Sequence, residues 1–390
     1  MNILFIAPQP FLVNRGTPIA VKEITEALGS MGHHVDILTY HLGESPQIKN
    51  VQIYRIPDNP IKNVPTAFSL KKLILDIPLA LKFIRMVLSG KYDVVHCVEE
   101  SIFIALFSKW IHKKPLIFDI DSSMPDQLAK KNGFLRIFSP FFLFMEKFAV
   151  KRSLCCITVC HTLSDNVRKI APWKMVFQIE DLPLIPEKKF SLEDRMLLKQ
   201  QLGLNNCKVC CYMGNFSRYQ GIDLMFNAFK IVKGKIHKAK LLIIGGSQIE
   251  LKSVQEKARL SGLKGNVIFT GKKSPQESAN LIQLADVLIS PRIEGTNTPM
   301  KIYTYMASGV PIVATNLSTH TQVLDKNSAV LVEPDALNMA QGIIELLNDM
   351  DRGKNISKNA SEIIEKRYSR KCYLEKLANA YNWIEKQIIK

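Results

Sequence analysis

The sequence predicts an α/β protein, two nucleotide-binding-type domains in tandem with a cleft between them. Three observations carry this. Short apolar runs alternate with helical stretches along almost all of the 390 residues. Most of those runs are continuous rather than alternating, as in strands covered on both faces. The two halves also repeat one plan of strand, glycine-bearing loop, amphipathic helix and strand. Such alternation implies parallel sheets with right-handed crossovers.

In chain order, the first half offers strands at 2–7, 34–39, 51–56, 93–97, 115–119, 155–159 and 175–179. The second offers 209–213, 240–244, 266–270, 286–290, 311–314 and 329–332. A linker is read at 181–189, where Pro183 and Pro186 adjoin Glu187, Lys188 and Lys189. The expected domains are 1–185, 186–366 and a C-terminal helix at 367–390 that packs back towards the first domain.

Composition narrows the class. With 47% hydrophobic and 22% charged residues the chain can bury ordinary cores and is not disordered. No run approaches the ~18–20 apolar residues of a spanning helix, and the N-terminus lacks a basic leader. A cytoplasmic protein, peripheral on the cytoplasmic face of the membrane, is the expectation. Of the 8 cysteines, Cys155, Cys156 and Cys160 form one cluster and Cys207, Cys210 and Cys211 another. With His161 these resemble a zinc set. Neighbouring side chains on a strand point to opposite faces, which favours buried free thiols and no metal site.

The charge of +17 calls for an anionic partner. Between Gln127 and Lys174 there are nine cations, among them Lys130, Lys131, Arg136, Lys147, Lys151 and Arg152, against Glu146 and Asp165. Phe134, Phe138, Phe141, Phe142, Phe144 and Phe148 are interleaved with them. Cations mixed with phenyl groups suit an anionic lipid surface; the alternative is that the phenylalanines are core. No nucleic-acid-binding signature is present, so nucleic acid is not expected as a partner.

Two loops combine helix-start signals with phosphate-binding potential. In Asn14-Arg15-Gly16-Thr17-Pro18, Thr17 is expected to cap and Pro18 to open a helix. In Glu294-Gly295-Thr296-Asn297-Thr298-Pro299, Thr298 and Pro299 repeat the pair, with Lys301 in the first turn. A helix N-terminus offers free N–H groups and the positive end of a dipole to phosphate, and a lysine there is unfavourable unless an anion accompanies it. Neither half has a complete G-x-G-x-x-G or Walker A sequence, which argues against dinucleotide oxidoreductases and P-loop enzymes.

The chain resembles the retaining GT-B-fold glycosyltransferases of family 4, the glycosyl transferase group 1 class. The resemblance spans nearly the whole chain. It is strongest in Ser290-Pro291-Arg292-Ile293-Glu294-Gly295, Pro299-Met300-Lys301 and Tyr305-Met306-Ala307-Ser308-Gly309. Tyr212-Met213-Gly214-Asn215-Phe216, Gln220-Gly221, Phe269-Thr270-Gly271 and Asp93-Val94-Val95-His96 also match. The resemblance implies two Rossmann-like domains facing a central cleft, with a nucleotide-sugar donor held mainly by the C-terminal domain and an acceptor mainly by the N-terminal one. It implies donor contacts from Gly16, Thr17, Asn215, Gln220, Gly271, Arg292, Gly295, Thr296, Asn297, Thr298 and Thr304.

Three departures stand out. The family's second glutamate, eight positions after the one matched by Glu294, is Ile302 by count and Thr304 by the Tyr-Met-Ala segment. A single hydroxyl there replaces two acceptor oxygens. Gln220 stands where the family places a lysine, leaving Arg218, Lys301 and Arg292 as diphosphate cations. Past the strand 115–119, Asp121 stands near the family's histidine, and Asp119-x-Asp121 mimics a metal pair only by coincidence. The expected activity is metal-independent, retaining hexosyl transfer to a lipid-linked or cell-envelope glycan hydroxyl, without cofactor. Lys301 and Arg218 would stabilise the leaving diphosphate, Glu294 would orient the sugar, and Asp121 would position the acceptor or take its proton. A nucleotide-sugar epimerase and a non-catalytic partner of the same fold are the rival readings.

Overall fold

The computed structural model describes residues 1–13, 16–65, 69–123, 139–185 and 190–389. Asn14, Arg15, Lys130, Lys131, Phe134, Arg136, Phe138 and the 186–189 part of the linker lie outside the described residues. The chain divides into two compact units, Met1–Glu180 with Arg370–Lys390, and Asp181–Ser369.

The first unit runs β1 (Asn2–Ala7), α1 (Gly16–Ser30), β2 (His34–Thr39), β3 (Val51–Arg55), α2 (Leu70–Val87), β4 (Val94–Val98), α3 (Ser101–Phe107), α4 (Lys109–His112), β5 (Leu116–Ile120), α5 (Ser139–Arg152), β6 (Cys155–Thr158), α6 (His161–Ile170) and β7 (Val176–Gln178). The second runs α7 (Leu192–Gln201), β8 (Lys208–Met213), α8 (Ile222–Lys235), β9 (Ala239–Ile244), α9 (Gln248–Leu260), β10 (Val267–Gly271), α10 (Pro275–Ile282), β11 (Val287–Ser290), α11 (Met300–Ala307), β12 (Ile312–Thr315), α12 (Ser318–Thr321), β13 (Val330–Val332), α13 (Ala336–Asn348) and α14 (Met350–Arg367). Helix α15 (Arg370–Ile388) belongs to the first unit.

The sheet orders are β3-β2-β1-β4-β5-β6-β7 and β10-β9-β8-β11-β12-β13. Pairing is parallel throughout, for example Asn2↔His34 and Ile3↔Val94. The strands fall where continuous apolar runs place them. Two begin one residue late for one reason: Pro115 and Pro311 have no N–H for a ladder. Their carbonyls still accept from Val95 N at 3.0 Å and Leu288 N at 2.9 Å.

Alternation within each strand sorts the core. In the first unit Leu4, Ile6 and Val95 meet Leu75, Leu79 and Phe83 of α2 and Ala149 of α5. Phe5 and His96 face the other side, where their rings stack at 4.1 Å. There α15 closes the sheet: Tyr381 Oη lies 2.6 Å from His96 Nδ1, and Trp383 meets Phe177 edge-on at 5.7 Å. Arg370 reaches Glu23 at 3.0 Å, and Lys376 pairs with Glu180.

Candidate functional site

Each sheet reverses its winding beside its first strand, between β1 and β4 and between β8 and β11. Crevices at the carboxyl ends of such strand pairs are where open α/β sheets bind ligands. In the second unit the two loops at that point are tied together. Ile293 N donates to Tyr219 O at 3.0 Å, and a Cβ on Gly221 would lie 1.9 Å from Pro291 O.

Arg292, 6% exposed, organises the loop after β11. Its guanidinium donates to Glu294 O at 2.8 Å, Asn297 O at 2.9 Å, Asn297 Oδ1 at 3.1 Å and Thr319 Oγ1 at 3.3 Å. It also lies over the Tyr219 ring at 5.0 Å. Gly295, at φ +139°, passes so close that a Cβ would sit 2.6–2.8 Å from that guanidinium. Arg292 is thus the loop's internal brace, a role that the expectation of a diphosphate cation did not include. Braced in this way, the loop presents Glu294 half-buried, its carboxylate without a hydrogen bond or ion pair among the described residues.

Lys301 is the second residue of α11 and is 7% exposed. Its Nζ donates to Gln220 Oε1 at 2.9 Å and sits over the Tyr212 ring at 4.2 Å. Both partners are neutral. Burial, then the Arg292 charge, hold its pKa well below the ordinary 10.5. Tyr212 in turn donates to Asn215 O at 2.6 Å, fixing the turn after β8. Asn215 is exposed and its Oδ1 accepts from Ser217 N at 3.1 Å; Arg218 is exposed on the following turn. Gly271 ends β10 and accepts from Gly245 N at 2.9 Å, and a Cβ on Gly245 would meet Gly214 O at 2.2 Å.

The capping expectations need correction. Pro299, not Thr298, holds the cap position of α11, because its carbonyl accepts from Ile302 N at 2.9 Å. Thr298 is 2% exposed, and its hydroxyl is buried without a hydrogen-bond partner among the described residues. In the first unit α1 already begins at Gly16, so Thr17 and Pro18 lie inside its first turn. Thr304 is 1% exposed and its hydroxyl accepts from Leu184 N at 3.0 Å, anchoring the linker. Thr296 accepts at its carbonyl from Gln322 Nε2 at 3.0 Å.

Sequence reasoning missed His320, which lies behind this loop. Its Nδ1 is 2.9 Å from Thr315 O, which can only accept, so Nδ1 carries the proton. Nε2 then accepts from Ser290 Oγ at 2.8 Å. Burial pushes its pKa down to about 3, and Thr315 Oγ1 donates to Arg292 O at 2.6 Å. The readable signal was a lone histidine among Ser318, Thr319 and Thr321 just past a buried strand.

In the first unit Asp121 follows β5 directly and is half-buried. Asp119 Oδ2 faces His96 Nε2 at 3.0 Å on the buried sheet. Among the described residues no group of three His, Cys, Asp or Glu could hold a metal ion. Cys155, Cys156, Cys160, Cys210 and Cys211 are buried. Glu99, also missed, directly follows β4 at φ +48° and accepts from Ser122 Oγ at 2.7 Å. Burial, then Glu100, push its carboxyl up to about 7.

Residues 15–176 match the model described as Glycosyltransferase Family 4, and residues 207–349 that described as Glycosyl transferases group 1. The chain belongs to this glycosyltransferase family. The phosphatidyl-myo-inositol mannosyltransferase of Mycolicibacterium smegmatis is 22% identical, over 94% of this chain and 90% of that protein. The mannosylfructose-phosphate synthase of Agrobacterium fabrum is 23% identical, over 77% and 71%. In structure, the sucrose-phosphate synthase of Thermosynechococcus elongatus superposes at TM-score 0.83 with 18% identity, covering 99% of each chain. Anabaena HepE, solved with UDP and glucose, superposes at 0.76 with 16% identity, over 98% and 99%. The fold is that of GT-B glycosyltransferases. Among the described residues no helix is long and apolar enough to cross a membrane.

Proposed function

We propose that this glycosyltransferase moves a hexose-type sugar from a nucleotide-sugar donor to a hydroxyl of a lipid-linked or cell-envelope glycan, with retention and without a metal or cofactor. The observation that carries the reading is Lys301, a buried cation with only neutral partners among the described residues, at the entrance of a helix beside the switch point. A buried charge without a counterion is costly, and a donor diphosphate supplies one. Glu294 orients the sugar, Arg218 adds charge from the neighbouring loop, and the helix entrance stabilises the leaving diphosphate. The solved relative holding UDP and glucose supports a uridine nucleotide as the first donor to try.

Asp121 positions the acceptor hydroxyl or takes its proton, with Glu99 near the same strand ends as the alternative base. The cationic, phenylalanine-rich 127–174 segment supports work at the cytoplasmic face of an anionic membrane. A lipid acceptor agrees with the name of the mycobacterial relative. The test is a thermal-shift screen with nucleotide-sugars, followed by transfer assays of Glu294→Gln and Lys301→Ala, with and without EDTA. Transfer abolished in both folded variants and unaffected by EDTA is expected; wild-type turnover in both, or activity restored only by added metal, refutes the mechanism. A second reading, a non-catalytic partner, is favoured by one observation, that Thr304 spends its hydroxyl on Leu184. Donor binding without transfer would select it.

A further inference from the structure

A buried polar chain crosses one face of the first unit's sheet. Tyr381 of α15 is 1% exposed, His96 of β4 0% and Asp119 of β5 7%. Tyr381 Oη lies 2.6 Å from His96 Nδ1, and His96 Nε2 lies 3.0 Å from Asp119 Oδ2. A carboxylate only accepts, so Nε2 carries a proton, and in the neutral ring Nδ1 accepts from Tyr381. Burial pushes the Tyr381 phenol well above the ordinary 10, which keeps its hydroxyl a donor. Ring contacts clamp the imidazole as well: Phe5 stacks on it at 4.1 Å, and the Tyr381 ring lies parallel to it at 6.3 Å. His33 leans on the Tyr381 ring at 5.6 Å. An apolar trio of the same shape would fill this space at less cost, so the gain lies in the geometry that a satisfied polar chain fixes.

What the chain fixes is the end of the sheet. Asp119 O accepts from Glu99 N at 2.8 Å, joining the residue after β4 to β5. Glu99 stands at φ +48°, a left-handed backbone that a residue with a Cβ adopts only under constraint. Its carboxylate is gripped in turn by Ser122 Oγ at 2.7 Å. Asp119 and Ser122 belong to one short stretch, so a single anchored side chain governs both holds on Glu99. The charges facing Glu99 are its neighbour Glu100, Lys72 of α2 and Asp119. Burial, then Glu100, raise its carboxyl to about 7; Lys72 opposes the rise and Asp119 adds to it.

We propose that Tyr381 and His96 are positioning residues for sugar transfer: through Asp119 they hold Glu99 at the angle at which its carboxylate meets the acceptor hydroxyl. Both are buried too deeply to touch substrate, so their effect passes through Asp119. The inference rests on the proposed acceptor site at these strand ends, and gives Glu99 rather than Asp121 the leading part there. The aim of the acceptor side is then set from the last helix of the chain.

The test uses the full chain. Each nucleotide-sugar that shifts the melting curve is assayed for nucleotide release, with water alone and with octyl glucoside as the attacking hydroxyl. Tyr381→Phe removes one hydroxyl at constant shape; it and Glu99→Gln should each lower release about tenfold or more, with the donor-induced thermal shift unchanged. His96→Gln, whose amide nitrogen reaches the place of Nε2, should retain more activity than His96→Asn, which reaches only the Tyr381 end. Asp119→Asn keeps an acceptor oxygen for His96 and removes the charge. The acid limb of its rate profile should move to lower pH, because a like charge no longer opposes ionisation of Glu99. Melting curves confirm that the variants fold, and the donor-induced shift reports the second unit's site separately. Wild-type release in Tyr381→Phe beside an impaired Glu99→Gln would overturn the proposal, as would an acid limb unmoved in Asp119→Asn. Wild-type release in Glu99→Gln would overturn it from the other side, the fault then lying with the acceptor site itself.

Discussion

Replacing Lys301 by Met keeps the side chain's length and removes its charge, which makes it the sharpest test of the donor site. In the wild type Nζ is buried against Gln220 and the Tyr212 ring, with no carboxylate in reach among the described residues. Removing the charge loses one charge-assisted hydrogen bond, about 1.5–3 kcal/mol. It also removes a desolvation penalty of several kcal/mol, so the free protein should melt no lower than wild type. Donor binding should change in the opposite direction. One lost lysine–phosphate bond of about 1.5–3 kcal/mol weakens affinity roughly 10- to 150-fold. The sign of the pH effect follows from the same burial. Because folding lowers the Lys301 pKa below the ordinary 10.5, the unfolded chain binds the proton more tightly. Stability therefore rises with pH between the lowered folded value and 10.5, and the Met variant loses that rise. A diphosphate beside Nζ favours the charged form, so donor binding should take up protons, read by calorimetry in two buffers of different ionisation enthalpy. Undiminished donor affinity in Lys301→Met, with no change in proton uptake, would refute the reasoning.

Gly295→Ala forces a Cβ to within 2.6–2.8 Å of the Arg292 guanidinium at φ +139°; the loop should lose its brace, and transfer should fall about tenfold or more while the far-ultraviolet spectrum stays unchanged. His320 is neutral in the fold with its pKa near 3 against an ordinary 6.5, so the stability it supports should be lost as pH falls from 6.5 towards 3. His320→Gln should flatten that acid limb in denaturant titrations, and an unaltered limb would exclude His320 as its cause. Six of the eight cysteines are buried, Cys207 and Cys372 being the partly exposed ones; a thiol reagent should label about two sites quickly in the native protein and the rest only after denaturation.

Much of the fold was legible because strands covered on both faces must be continuously apolar. The runs 2–7 and 34–39 are β1 and β2 to the residue. The loop after β11 was equally legible, since Gly295, Thr-Pro and Lys301 are local signals. What the sequence could not show depends on contacts across it. Arg292 looks like any cation until three of its hydrogen bonds are seen closing on its own loop and a fourth on Thr319. His320 meets Ser290 thirty positions away. Cap positions slipped by a residue because Thr-Pro fits two registers, and the backbone carbonyl of Pro299 selects one.

Helix α15 carries a consequence for how the chain matures. It supplies Tyr381 to His96 and Trp383 to Phe177, so the N-terminal sheet receives the last of its cover from residues translated after the whole of Asp181–Ser369. At roughly 5–20 residues per second, the intervening segment of about 190 residues imposes a wait of roughly 10–40 s. During it, Phe5, His96 and Phe177 stand uncovered on the nascent chain. The contiguous second unit has no such debt and is complete first. Ribosome-bound chains stopped before Arg370 should therefore give a protease-resistant second unit and a labile first one, reversing the order in which their residues were made.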